Sequence, residues 1–104
     1  MSDSVAVRIV VIVNPLGMHL RPADLFMRRA NEFQSSVEVI KGNERCDGKS
    51  VLSMLTLAAV QGTELTLRVT GPDADRALDA LAELVAQGFG EMEVAAPEPR
   101  QTQA

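Results

Sequence analysis
The sequence holds no tryptophan, no tyrosine and only three phenylalanines. Stacking platforms for single-stranded nucleic acid need aromatic faces, so their scarcity argues against that class. The core must instead be aliphatic, drawn from Val, Leu, Ile, Ala and Met. Cysteine occurs once, as Cys46. A lone cysteine forms neither an internal disulfide nor a zinc cage, which suits a cytoplasmic setting. Positive charge is in deficit, with a formal net charge of −4. That argues against nucleic acid as the main partner. No apolar run reaches membrane-spanning length, and no basic, signal-like start is present. Metal-ligand clusters are lacking, because the one histidine and the one cysteine lie far apart in sequence. The glycines form no nucleotide-binding loop and no P-loop lysine pattern. No cofactor is expected.

What is present is one domain's worth of alternating patterns. Residues 5–13 are β-branched and stop at Asn14-Pro15, which predicts a strand. The loop Asn14–Met18 holds Pro and Gly and is expected to be exposed. From Leu20 to about Phe33, apolar residues recur at steps of three and four, the mark of a helix. Pro22 is tolerated only in a first turn, so the helix begins near His19–Arg21. Ser36–Lys41 and Glu44–Cys46 read as two strands joined at Gly42-Asn43. Ser50 is an N-cap candidate for a second helix, expected to run to about Ala59 and to be apolar on most sides. Thr63–Thr70 alternates strictly and predicts a strand. Asp73 is expected to cap a third helix, which Gly88 stops. The order is β-α-β-β-α-β-α, an α+β pattern best satisfied by helices on one face of an antiparallel sheet. The domain is expected to span residues 1–94, with residues 95–104 a disordered tail.

Chemistry concentrates at Asn14-Pro15-Leu16-Gly17-Met18-His19-Leu20-Arg21-Pro22-Ala23. An unperturbed imidazole titrates at about pH 6.5, so a neutral, nucleophilic nitrogen exists near neutrality. It can accept a phosphoryl group covalently. The helix start beside it offers unpaired backbone N–H groups and partial positive charge to an anion. Arg21 can clamp phosphate oxygens with its fork of donors. The blander alternative is that His19 caps the helix and Arg21 is a solvated charge. His19 has no evident acid–base partner in the sequence, which speaks against a stand-alone enzyme.

The run Gly17-Met18-His19-Leu20-Arg21-Pro22-Ala23 resembles the active-site signature of the HPr family. These are histidine-containing phosphocarriers of the phosphoenolpyruvate-dependent phosphotransferase system. Gly48-Lys49-Ser50-Val51-Leu52-Ser53-Met54-Leu55 resembles the family's regulatory serine segment, and Gln61-Gly62-Thr63-Glu64-Leu65 its entry to the last strand. The resemblance covers residues 5–91. It implies an open-faced β-sandwich, a four-stranded antiparallel sheet with three helices on one side. It implies that His19 is phosphorylated at Nδ1 by enzyme I, that Arg21 stabilises the phosphate, and that the phosphoryl group passes to IIA-type components. It implies that Ser50 is a target of HPr kinase/phosphorylase. Leu20, Leu16 and Pro15 depart from residues common in the family.

Leu16, Met18 and Leu20 flank His19, while Lys49, Val51, Leu52 and Leu55 flank or follow Ser50. If the two segments are neighbours, they form one docking patch for a transient partner. Val51 and Leu55 also read as core, and Leu52 as a surface contact. The expected protein is a cytoplasmic monomer. One rival is an HPr-like regulator of carbon or nitrogen metabolism, acting with a transcriptional regulator. Another is a small ligand-binding α+β module without phosphorylation.

Overall fold
The computed structural model describes residues 4–91. The expected tail at residues 95–104 lies outside the described residues. The elements are β1 (Ser4–Val11), α1 (Leu20–Ala30), β2 (Ser36–Lys41), β3 (Glu44–Asp47), α2 (Val51–Leu55), β4 (Glu64–Gly71) and α3 (Ala74–Ala86). A short turn, Gly88–Gly90, follows α3. The four strands form one antiparallel sheet in the order β1-β4-β2-β3. β4 is central. Val7 of β1 and Glu38 of β2 both stand opposite Arg68.

The period-two alternation of the strands decides which face is covered. Ala6, Val10, Val37, Val39, Leu65, Leu67 and Val69 point inward and are buried. Their alternates Val5, Val7, Ile9 and Val11 are exposed, so one face of β1 is open to solvent. The helices cover the other face. α3 places Ala77, Leu78, Leu81 and Val85 in the core, and α1 contributes Ala23, Phe26 and Ala30. Truncating a fully buried side chain such as Leu81 costs about 2–5 kcal/mol in cores of this kind.

Several sequence expectations are corrected. β1 ends at Val11 rather than Val13, although Ile12 N–H still donates to the Thr63 carbonyl at 2.9 Å. α1 ends at Ala30, where Asn31 Nδ2 caps the Met27 carbonyl. α2 stops at Leu55 instead of Ala59. The Thr56 hydroxyl donates to the Ser53 carbonyl, the next turns close on i→i+3 bonds, and Ala58 takes a left-handed φ of 50°. Helical patterning persists through Ala59, but the backbone has already turned. Asp73 stands at the N-cap of α3 as expected, its carbonyl accepting from Ala77 N–H at 3.0 Å, but its side chain makes no capping bond. Its carboxylate accepts hydrogen bonds from Gln34 N–H, Ser35 N–H and the Ser35 hydroxyl instead. The loop Asn14–Met18 is only partly exposed: Pro15 and Leu16 face solvent, whereas Asn14 and Met18 are buried.

Candidate functional site
His19 stands at the N-cap of α1 with extended backbone, φ −106° and ψ −167°. Its side chain makes no capping hydrogen bond. Only its carbonyl serves the helix, accepting from Ala23 N–H at 3.0 Å. The imidazole is thereby free of a structural duty to α1, and its side chain is 37% exposed. Pro22 sits in the first turn, where its lack of an N–H costs nothing. That turn carries no acidic residue of its own.

The loop before His19 is held in one shape. Gly17 has φ 72°, and a Cβ there would stand 2.5 Å from the Ala59 carbonyl oxygen. Only glycine meets both conditions. Next to it, Met18 N–H donates to that same carbonyl at 2.8 Å. The histidine loop is thus joined to the loop that follows α2.

His19 has a partner that sequence reasoning missed. Nε2 lies 2.8 Å from Oε2 of Glu91, which is largely buried. The other carboxylate oxygen, Oε1, accepts from Asn14 Nδ2 at 2.8 Å. Asn14 Nδ2 also donates to the Gly17 carbonyl at 2.8 Å. The chain reaches this point through Gly88, Phe89 and Gly90, all left-handed, with φ of 64°, 57° and 77°. Phe89 is buried. A left-handed non-glycine residue costs about 1–3 kcal/mol, and such strain gathers at functional sites. Here it anchors the aromatic ring in the core and turns Glu91 back toward α1. The glycine–aromatic–glycine run after α3 was the available sequence signal.

A carboxylate only accepts hydrogen bonds, so the Nε2 facing Glu91 carries the proton. In the neutral ring the lone pair then resides on Nδ1. Arg21 is exposed and lines an open concavity with His19, Leu20 and Asp24. Asp24 is engaged by Arg28 at 2.8 Å, which leaves Arg21 as the guanidinium of that concavity.

Ser50 caps α2, its hydroxyl accepting from Ser53 N–H at 3.2 Å. Lys49 is half-buried, and its ammonium donates to the Phe33 carbonyl at 3.0 Å. Val51 and Leu55 are half-buried against the core. Leu16, Leu20 and Leu52 are 73%, 64% and 77% exposed. Met18, expected on a docking patch, points into the core instead, because the buried loop backbone beside Gly17 turns it inward. Cys46 is half-buried, and burial pushes its thiol up to about 11, so it is protonated at neutral pH. Among the described residues no three His, Cys, Asp or Glu side chains are grouped to hold a metal. No described helix is long and apolar enough to cross a membrane.

A small open-faced α+β domain with a half-exposed histidine at a helix start and an arginine beside it has the make-up of an anion-handling carrier. The family model described as "PTS HPr component phosphorylation site" matches residues 6–87. The chain is 39% identical over 84 residues to phosphocarrier protein HPr of Neisseria meningitidis, covering 81% of this chain and 94% of the relative. It is equally 39% identical over 84 residues to phosphocarrier protein NPr of Shewanella violacea, covering 81% and 92%. The crystal structure of HPr-C-His from Thermoanaerobacter tengcongensis superposes with a TM-score of 0.80 at 35% identity, covering 83% of this chain and 97% of that one. The chain belongs to the HPr family of phosphotransferase-system phosphocarriers.

Proposed function
We propose that this chain accepts a phosphoryl group on Nδ1 of His19 from enzyme I and passes it to IIA-type acceptors. The observation that carries this reading is the hydrogen bond from Nε2 to Glu91, which leaves Nδ1 as the nucleophilic nitrogen. Arg21 and the backbone N–H groups of the first turn of α1 are suited to hold the phosphate oxygens. Exposed Leu16, Leu20 and Leu52 supply apolar contacts for partners that must dock briefly and leave. Ser50 is the regulatory site in this reading. A phosphate there adds about −1.5 to −2 charges at a helix start and repels an acidic partner without altering the fold. The protein acts as a cytoplasmic monomer.

The test is incubation of the full chain with phosphoenolpyruvate and enzyme I. Acid-labile, base-stable phosphate is expected on the wild type and none on His19→Ala. Wild type without such phosphate overturns the reading.

The chain is as similar to a relative named NPr as to one named HPr, at 39% identity to each, so a second reading stands beside the first. In it the same phosphohistidine serves carbon or nitrogen control rather than sugar uptake. Transfer to IIA components of sugar permeases, compared with transfer to IIA proteins of regulatory systems, separates the two.

A further inference from the structure
We infer that Asn14 is a positioning residue for phosphoryl transfer at His19 and that it acts through Glu91. The inference rests on the phosphocarrier reading and adds the device that orients the ring.

Asn14 is fully buried. A buried amide is costly unless its polar atoms are bonded, and an apolar side chain would fill the same space without that cost. Its Oδ1 has no hydrogen-bond partner among the described residues. Both of its bonds leave from Nδ2, and both go to the site, to the Gly17 carbonyl and to Glu91 Oε1. The position therefore serves its donor. With Oε1 held by Asn14 and Oε2 on His19 Nε2, the Glu91 carboxylate cannot rotate without losing a bond. The left-handed Gly88–Gly90 turn fixes the same carboxylate from its backbone side. Asn14, Glu91 and His19 form a line in which each member aims the next, as carboxylate–histidine pairs do at metal sites.

The chemistry follows from that line. The Nδ1 lone pair forms the N–P bond while the bond from phosphorus to the donor atom breaks, its electron pair returning to the donor. The proton stays on Nε2 throughout. The ring, now substituted on Nδ1 and protonated on Nε2, bears a formal positive charge beside the Glu91 carboxylate. In onward transfer the lone pair of an unprotonated acceptor atom forms the new bond to phosphorus while the N–P bond breaks and its pair returns to Nδ1. No external base is needed in either direction.

The test combines ring nitrogen NMR with transfer kinetics on the full chain. Without any donor, wild-type His19 is expected in the Nε2–H form at a pH where the ring is neutral. Asn14→Ala and Asn14→Leu are expected to raise the Nδ1–H form several-fold. Their transfer rate at saturating enzyme I should fall about ten-fold, the scale seen when partners of metal-bound histidines are removed, with KM unchanged. Glu91→Ala should lose as much, and Asn14→Leu/Glu91→Ala should be no slower than Glu91→Ala alone. Should Asn14→Ala melt below the assay temperature, Asn14→Leu, which keeps the branched four-atom side chain without its polar groups, carries the comparison. An unchanged tautomer in Asn14→Leu, or additive losses in the double variant, overturns the inference. Wild type that takes no phosphate refutes the carrier reading instead, and the donor-free tautomer still reports on Asn14 and Glu91.

Discussion

Asp73 holds Ser35 by two bonds at once, accepting from its backbone N–H and from its hydroxyl. Thirty-eight residues separate the pair, and the contact ties the entrance of β2 to the entrance of α3. The hydrogen bond from the Ser35 hydroxyl, with that from Gln34 N–H, draws the Asp73 carboxyl down from 3.8 to about 2. A lowered carboxyl stabilises the fold above its ordinary value and loses that contribution as pH falls through its folded value. Wild type should therefore lose thermal stability between pH 4 and pH 2 more steeply than Asp73→Asn. The variant should melt lower at pH 7, and the gap should close near pH 2. Paired calorimetric scans across that range decide it, and parallel curves would refute the assignment.

Gly17→Ala tests the shape of the histidine loop. The added Cβ would collide with the backbone of residues 59–60 in a conformation that alanine disfavours. Left-handed strain alone costs about 1–3 kcal/mol. Denaturant unfolding should show a loss of at least that size. His19 phosphorylation should slow as well, since the loop that presents the ring has moved. A fully stable variant would show that the two loops separate easily.

Ser50 carries a structural duty and a proposed regulatory one, and two substitutions part them. Ser50→Ala removes the cap on Ser53 N–H and should cost about 1 kcal/mol. Ser50→Asp keeps an acceptor at the cap, so its melting temperature should stay near wild type. Transfer to His19 should nevertheless slow in Ser50→Asp, because the new charge faces the docking partner. Equal transfer rates for both variants would leave Ser50 a cap only.

Leu52 is the most exposed large apolar residue among those described. Surface substitutions away from special contacts shift stability by about 0.5 kcal/mol or less. Leu52→Glu should leave the helical circular dichroism intact and raise the KM for enzyme I. Loss of the helical signal would mean that Leu52 packs against the core.

Much of this architecture is written locally. Pro22 fixes the start of α1, strict alternation marks β4, and Gly42-Asn43 marks the hairpin of β2 and β3. The one-sided sheet follows from the same alternation. The position of His19 and Arg21 at a helix start was equally legible. The length of α2 was not, because its end depends on Thr56 turning to the Ser53 carbonyl and on the left-handed Ala58, neither visible in apolar spacing. Asn14 and Glu91 were missed for another reason. They lie 77 residues apart, and only the closed fold joins Asn14 to the carboxylate that meets the imidazole. Asp73 was legible as the N-cap position of α3, but the bonds of its carboxylate to a distant loop were not, because those donors lie 38 and 39 residues away.

The Ala59 carbonyl that receives Met18 N–H has a mechanical consequence. The stretch bearing His19 and the stretch leaving α2 share a rivet, so moving one apart from the other means breaking that bond. A protein that grips Leu52 of α2 also takes hold of the segment that bears the imidazole.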